Sequence, residues 1–570
     1  MKNQEIAQVL FHIAGLLEMQ GVPFKPRAYQ KAARTVESLS EDIAEVWKRG
    51  GLEELPGIGA SIAEKIGELL KTGRLRYYEQ LKKQMPMDVD ALMGVPGLGP
   101  KRIKLLYDQL GIKNLAGLEK AAQQHRIREI EGFGAKVEED ILKGIAIAQQ
   151  RGTRFLLGYA MPVAEELRSR LAALKSVAQV EIAGSYRRKQ ETIGDLDILV
   201  TSAKPQEAMD FFVKMPEVAE VLAHGATKSA VRLRNGLQID VRVLKENEYG
   251  SALQYFTGNK EHNVALRKIA LSKGYTLSEY GLFALKGKRW VAGRTEEEIY
   301  RKLGLQLMEP ELRSNTGELE AAAKGKLPKL LAYGQAKGDF QTQTEWSDGA
   351  DSIEALARYA QQSGLKFVAI TDHVGQLAIT HALDEKRLVK QMQEIDKLNG
   401  KLDIRIFKGA EVDILKNGRL ALSRKLQKQL DVVLGSVHLA TKMAEQEMTK
   451  RICTAMEQDR VHVLAHPTGR LIQQREPYAV NLERVFDCAK RTGTFLEING
   501  QPERLDLKDT HIRAAKEAGC RFAISTDAHA KSQLQYLELG VAMARRGWLE
   551  AKDVLNTCSV KEIEKVLRGR

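Results

Sequence analysis

Two aspartates two residues apart, Asp195 and Asp197 in the run AGSYRRKQETIGDLDILV (183–200), are the residues whose spacing speaks most directly of chemistry. The run ending in LDILV is β-rich. On a strand, residues i and i+2 project from one face, so both carboxylates can share hard cations such as Mg²⁺. A third carboxylate, Asp240 in LQIDVRV, lies on another β-rich run and could close a triad. Two ions held this way would lower the pKa of a sugar hydroxyl, orient a phosphate and neutralise a leaving pyrophosphate. Just upstream, Gly184 and Ser185 offer N–H and hydroxyl donors to a triphosphate, and Arg188 a charge-assisted contact. A lone DxD is commonly a solvated strand end; the full set is far more specific.

A second set of chemistry-bearing residues is scattered through the C-terminal block. GDFQTQTEWSDG (338–349), ITDH (370–373), GAEVDI (409–414), GSVH (435–438), AHPTGR (465–470) and STDAH (525–529) each fall near the end of a predicted strand. In βα barrels active groups gather at the C-terminal ends of strands, so these His, Asp and Glu residues would converge there on a metal site.

A third signal is backbone rather than side chain. LPGIGASIAEKI (55–66), VPGLGPKRIKLL (95–106) and IEGFGAKVEEDI (130–141) each read as a GxG turn opening a helix. The glycine pairs Gly57 and Gly59, Gly97 and Gly99, and Gly132 and Gly134 would let backbone N–H groups approach a phosphate, aided by the helix N-terminus. A polyanionic partner agrees with the charge, since 88 Lys and Arg against 74 Asp and Glu give +14.

The elements that must carry these groups fall into blocks, as 570 residues exceed one core. Residues 1 to about 150 show apolar positions at helical period with short glycine turns. From about 155 to 250, runs such as VEIAG, LDILV and LQIDVRVL alternate with helical stretches, predicting a mixed sheet. A small α/β unit follows to about 313, then the polar stretch TGELEAAAKGKLPKLL reads as a linker. Beyond 334, strands such as KFVAIT, DVVLGS and GTFLEI alternate with helices, the βα repetition of a parallel sheet or barrel. Cys453, Cys488, Cys520 and Cys558 form no CxxC pair, which speaks against a disulfide framework or zinc knuckle and for a reducing compartment. The start reads as an amphipathic helix without a secretory pattern, and no segment is expected to span a membrane.

These motifs resemble known families. AGSYRRKQETIGDLDILV with the later IDVR is similar to the nucleotidyltransferase palm shared by family X polymerases, terminal transferases and poly(A) polymerases. YFTGNKEHNVALRKIALSKGYTLSEYGLF (255–283) looks like the thumb of family X DNA polymerases. The resemblance implies that Tyr255 and Phe256 pack on the nucleotide sugar, Gly258 keeps the kink that lets them, Asn263 meets the incoming base edge and Arg267 steadies the template. Two departures from that pattern are Lys189 in place of a glycine and Asn259 in place of a serine. FKPRAYQKAARTV followed by LPGIGASIAEKIGELLKTGRL resembles the lyase domain of DNA polymerase beta, which places a Schiff-base nucleophile at Lys65 and accessory residues at Lys25 and Tyr29. A second lysine of that pattern is Ser61 here.

The C-terminal block resembles the polymerase and histidinol phosphatase (PHP) domain, a distorted barrel that hydrolyses phosphoesters with a trinuclear cluster of Mn²⁺, Zn²⁺ or Fe. The matching ligands are Asp348, His373, Glu411, His438, His466, Asp527 and His529. Where the family has HxH, this chain has Gln341 and Gln343, so one of three metals is expected to be missing, a neutral amide being a poor substitute for imidazole.

The expected architecture is therefore multidomain. It comprises an all-α helix-hairpin-helix region with a lyase-like part (1–85) and fingers (86–153), an α+β palm (154–249) and thumb (250–315), a linker (316–333) and a TIM-like (β/α)7 PHP barrel (334–570). The expected protein is a monomeric bacterial enzyme of the cytoplasm and nucleoid that fills short gaps in DNA. Its partners are gapped or primed duplex and dNTPs, with Mg²⁺ or Mn²⁺ at Asp195, Asp197 and Asp240 and an impaired 3′ to 5′ exonuclease in the barrel. The alternatives are a phosphoesterase whose polymerase half only docks DNA, and a DNA-binding scaffold without turnover.

Overall fold

The computed structural model describes residues 3–39, 43–55, 57–85, 87–95, 98–151, 154–375 and 380–569. Up to residue 151 the described chain is helical, and its main helices are α1 (Asn3–Met19), α2 (Lys25–Ser38), α3 (Ala60–Thr72), α4 (Pro100–Leu110) and α5 (Ala135–Arg151). Gly59 and Gly99 stand as the extended residues immediately before α3 and α4, and Pro100 opens α4, where its missing N–H costs nothing. The preceding turns use Gly57 at φ 83° and Gly132 at φ 86°, a region that side-chain-bearing residues avoid. Apolar residues three and four apart, such as Ile62, Ile66 and Leu69 or Ile103 and Leu106, are buried in one helical core. Gly97 lies outside the described residues.

Helix α6 (Leu157–Ala172) leads into the strands β1 (Val177–Ile182), β2 (Asp195–Ser202), β3 (Val218–His224), β4 (Lys228–Leu233) and β5 (Gln238–Leu244). They form a mixed sheet in the order β1-β2-β5-β4-β3, in which only β2 and β5 run parallel. Along β2, Leu196, Ile198 and Val200 are fully buried, and alternation turns Asp195 and Asp197 to the other face. Helices α7 (Tyr249–Thr257) and α8 (Lys260–Ser272) follow, hinged at Gly258, and then the small antiparallel sheet β6 (Tyr275–Ser278), β7 (Gly281–Ala284) and β8 (Trp290–Ala292).

The segment expected as a free linker is packed instead. It contains the short helix α9 (Glu318–Ala323), whose Leu319 and Ala322 join the core of the preceding unit, while the Glu318 carboxylate accepts from buried His262 at 2.8 Å. The polar composition that suggested a linker belongs mostly to its outward face, with Glu318 the buried exception.

The C-terminal block is a nearly closed parallel barrel of seven strands. In order these are β9 (Gly338–Thr342), β10 (Phe367–Ile370), β12 (Arg405–Asp413), β13 (Val432–Ser436), β14 (Val463–Leu464), β15 (Phe495–Asn499) and β16 (Phe522–Ser525), with the short β11 (His373–Val374) also paired to β12. The ends meet through a parallel bridge between Thr342 and Ala528, with Gln343 N–H donating to the Ala528 carbonyl at 2.8 Å. Phe340, Phe367, Phe407 and Phe495 pack with Ile563 and Leu567 of the last helix, α10 being Leu537–Arg546 and α11 Val560–Arg568. Among the described residues no helix is long and apolar enough to cross a membrane.

Candidate active site and metal centre

The parallel step between β2 and β5 makes Asp197 and Asp240 register partners, with Asp195 two residues earlier on the same face as Asp197. Burial first, then the neighbouring carboxylates, push Asp197 up to about 6, and burial with Asp240 raises Asp195. Gln238 donates to Asp240 at 2.8 Å, and the Lys228 ammonium lies 3.7 Å away. Crowded carboxylates that resist joint ionisation are a ready place for divalent cations, so the three residues fit such ions. The backbone at Gly184, φ 63°, closes over Asp197 so tightly that an added Cβ would stand 2.9 Å from its Oδ2.

Ser185 stands half-buried in the same turn, one residue beyond Gly184. The two arginines that follow behave differently. Arg187 is committed to structure, donating to Thr257 Oγ1 at 2.7 Å and to both oxygens of Glu296 at 3.0 and 2.7 Å, while Arg313 also bonds Glu296. Burial would raise Glu296, but Arg313 and Arg187 outweigh it and bring the carboxyl down to about 2. Arg188 bonds the Thr257 carbonyl through Nη1 and leaves its buried Nε without a partner. Its guanidinium is pushed down to about 10 by burial, then by Arg546 and Arg313, and remains cationic at neutral pH.

Gly258, at φ 67°, carries the chain past this guanidinium, and a Cβ there would lie 3.2 Å from Arg188 Nη1. Tyr255 and Phe256 meet edge to face at 5.2 Å, and the Arg242 guanidinium lies 4.6 Å over Phe256. Asn263 is nearly buried, accepting from Gln254 and donating to the Tyr255 carbonyl, both at 2.7 Å, so the structure uses its amide to brace the aromatic pair. Arg267 is exposed on α8. Asn259, the departure from the resemblance, caps α8 by accepting from His262 N–H at 2.8 Å.

In the N-terminal core, Lys65 donates to the Ser61 hydroxyl at 2.9 Å and lies 5.1 Å over the ring of Tyr77, which stacks on Tyr29 at 6.3 Å. Lys25 is exposed. Space in front of Gly59, Gly99 and Gly134 is open, so helix-start N–H groups there are accessible from outside.

In the barrel, the strand ends bring two candidate ion positions together. Asp348, His373 and His529 form one, and His373, Glu411 and His438 another. His466 Nε2 is 3.0 Å from Glu411 Oε1 and joins the second. Burial opposes ionisation of Glu411, but His373 and His438 hold it well below the usual range, while Glu411 and Asp413 bring His438 up to about 9 against burial. At the third position, Gln343 donates to Glu411 at 3.0 Å and Gln341 to Asp527 at 3.2 Å, so N–H groups face the carboxylates that an ion would need. Arg504 adds a guanidinium 3.1 Å from Asp527. The Oε1 atoms of both amides are buried without a partner. Sequence reasoning singled out neither Arg504, in the loop after β15, nor Asp413, the last residue of β12 within the run GAEVDI, which accepts from His438 at 2.9 Å.

Family models match five segments of the chain. The helix-hairpin-helix domain matches residues 1–75, the SAM-like helix-hairpin-helix tandem 89–146, the DNA polymerase beta palm 160–254, the DNA polymerase beta thumb 252–314 and the PHP domain 339–501. The chain is 36% identical to the DNA polymerase/3′-5′ exonuclease PolX of Bacillus subtilis over the full length of both. It is also 24% identical to DNA polymerase lambda of Rattus norvegicus over 54% of this chain and 56% of that protein, and 28% identical to that of Arabidopsis thaliana over 55% and 62%.

Proposed function

Because the chain belongs to the family X DNA polymerases that carry a C-terminal PHP domain, we propose that it fills short gaps in primed duplex DNA and serves base excision repair. The observation that carries this reading is the pairing of Asp197 with Asp240 beside Asp195 on one open face. Mg²⁺ or Mn²⁺ held there supplies the charge that activates the primer hydroxyl and screens the leaving pyrophosphate. The rest is positioning by the chain itself. The Gly184–Ser185 turn offers donors to the triphosphate, Arg188 meets it with its cationic guanidinium, and Tyr255 with Phe256 flanks the sugar. Asn263 acts through Tyr255, and Arg267 faces the template side. The open turns at Gly59, Gly99 and Gly134 hold DNA phosphates, and Lys65, which donates to Ser61 where the resemblance has a second lysine, is the candidate Schiff-base nucleophile. The enzyme works as a monomer on dNTPs and DNA in the bacterial cytoplasm.

For the barrel, the supported reading is a weakened 3′ to 5′ exonuclease. PolX carries that activity in its name, whereas here amide donors and Arg504 stand where a third ion would bind. Primer extension and primer shortening measured together on one gapped substrate test both halves: extension without shortening is expected, and shortening without extension would reverse the assignment.

A further inference from the structure

We propose that the barrel is a positioning element for nucleotide addition: Arg546, Arg470 and Glu538 hold residues 188–191 so that Arg188 keeps its aim at the triphosphate. The inference rests on the reading of Arg188 as a triphosphate ligand.

Four consecutive residues leaving the Gly184 turn each touch the barrel. The Arg188 carbonyl accepts from Arg546 Nη1 at 2.9 Å. Lys189 Nζ lies 3.4 Å from Glu538 Oε1. The Gln190 side-chain amide lies against the same guanidinium, and with its oxygen turned toward Arg546 it would accept at 2.9 and 3.2 Å. Glu191 accepts from Arg470 Nη2 at 2.6 Å. Both arginines are nearly buried and anchored at their other ends within the barrel, Arg546 on Asp509 and Arg470 on the Leu505 carbonyl. A planar forked donor held in this way fixes direction as well as distance.

The lysine that stands where the resemblance calls for glycine belongs to this clamp. Lys189 has φ 49°, a left-handed conformation that a non-glycine residue keeps only where its surroundings enforce it. Its ammonium lies over Tyr186 at 5.2 Å and near Tyr333 at 5.9 Å besides reaching Glu538, while the turn itself is closed by Lys189 N–H on the Tyr186 carbonyl and Gln190 N–H on the Ser185 carbonyl. Arg546 also brings a second cation close to Arg188, raising the positive potential that a triphosphate meets. The barrel's contribution to synthesis is thus independent of its own hydrolytic competence.

The test is steady-state gap filling by the full chain. Arg188→Ala should raise KM for dNTP about tenfold. Arg546→Ala should raise it by a similar factor with a smaller fall in kcat, gapped-DNA affinity and barrel metal content staying unchanged, and Arg546→Lys should recover part of the loss. As Arg546 also ties Asp509, a surface pair supplies a second arm: Glu538→Lys should raise KM about threefold, and adding Lys189→Glu should restore it. An unchanged KM in Arg188→Ala would remove the triphosphate reading itself. A raised KM in Arg188→Ala, with KM unchanged in Arg546→Ala and Glu538→Lys, would overturn the barrel's role, and if Arg546→Ala does not fold, the charge-swap pair decides.

Discussion

Asp197 on β2 and Asp240 on β5 face each other as register partners of a parallel strand pair. They sit on the sheet's one parallel strand pair, inside the sheet with β5 as its central strand. Asp240→Asn or Asp197→Asn should slow nucleotide addition by roughly three orders of magnitude. Affinity for gapped DNA should hold, since the phosphates are bound by the N-terminal turns. Single-turnover incorporation and a binding titration on the same variants check both halves of the statement.

Gly59 separates a fold effect from a binding effect. Its φ of −91° suits any residue and nothing lies within 4 Å of an added Cβ, so Gly59→Val should leave the melting temperature unchanged. The side chain would nevertheless stand in front of the α3 N-terminus and weaken DNA binding at every salt concentration. Unaltered affinity would show that this turn does not touch the backbone of DNA.

The Glu296 network gives a pH signature. Its folded carboxyl lies near 2 against an ordinary 4.5, so its stabilisation is fully present above about 4.5 and is lost as pH falls toward 2. Glu296→Gln should destabilise the chain by about 3 kcal/mol at pH 7, and the difference from the parent should shrink across that acid window. Denaturant melts at pH 7 and near pH 3 read it directly; a difference independent of pH would mean that the ion pairs with Arg187 and Arg313 contribute little.

How much of this was legible in the sequence depends on range. Asp195 and Asp197 announce themselves because a strand's two-residue period is local, and the GxG turns because glycine is needed at positive φ. The tie between Arg187 and Glu296 spans 109 positions and that between Arg546 and Arg188 spans 358, and neither has a periodic signature. Lys189 showed only as a departure from a pattern, and its partner Glu538 became visible when the barrel was seen against the palm. The stretch around Leu319 misled for a related reason: a short amphipathic helix that buries two apolar residues has the composition of a linker.

Restoring imidazoles probes the barrel. Gln341→His with Gln343→His should raise bound metal by one ion per chain and primer shortening by orders of magnitude, with the polymerase rate unchanged. A metal count that stays level in the double variant would point to Arg504, 3.1 Å from Asp527, as the group that closes this position.

The most direct test of the central claim is incorporation of one dNTP into a single-nucleotide gap by the full chain with Mg²⁺ or Mn²⁺, beside the Asp240→Asn variant. The account predicts one-nucleotide extension by the parent, extension slower by roughly three orders of magnitude in the variant, and equal binding of the gapped duplex by both. Extension by Asp240→Asn at a rate near the parent's, or a parent that binds the gap and adds nothing, would contradict it.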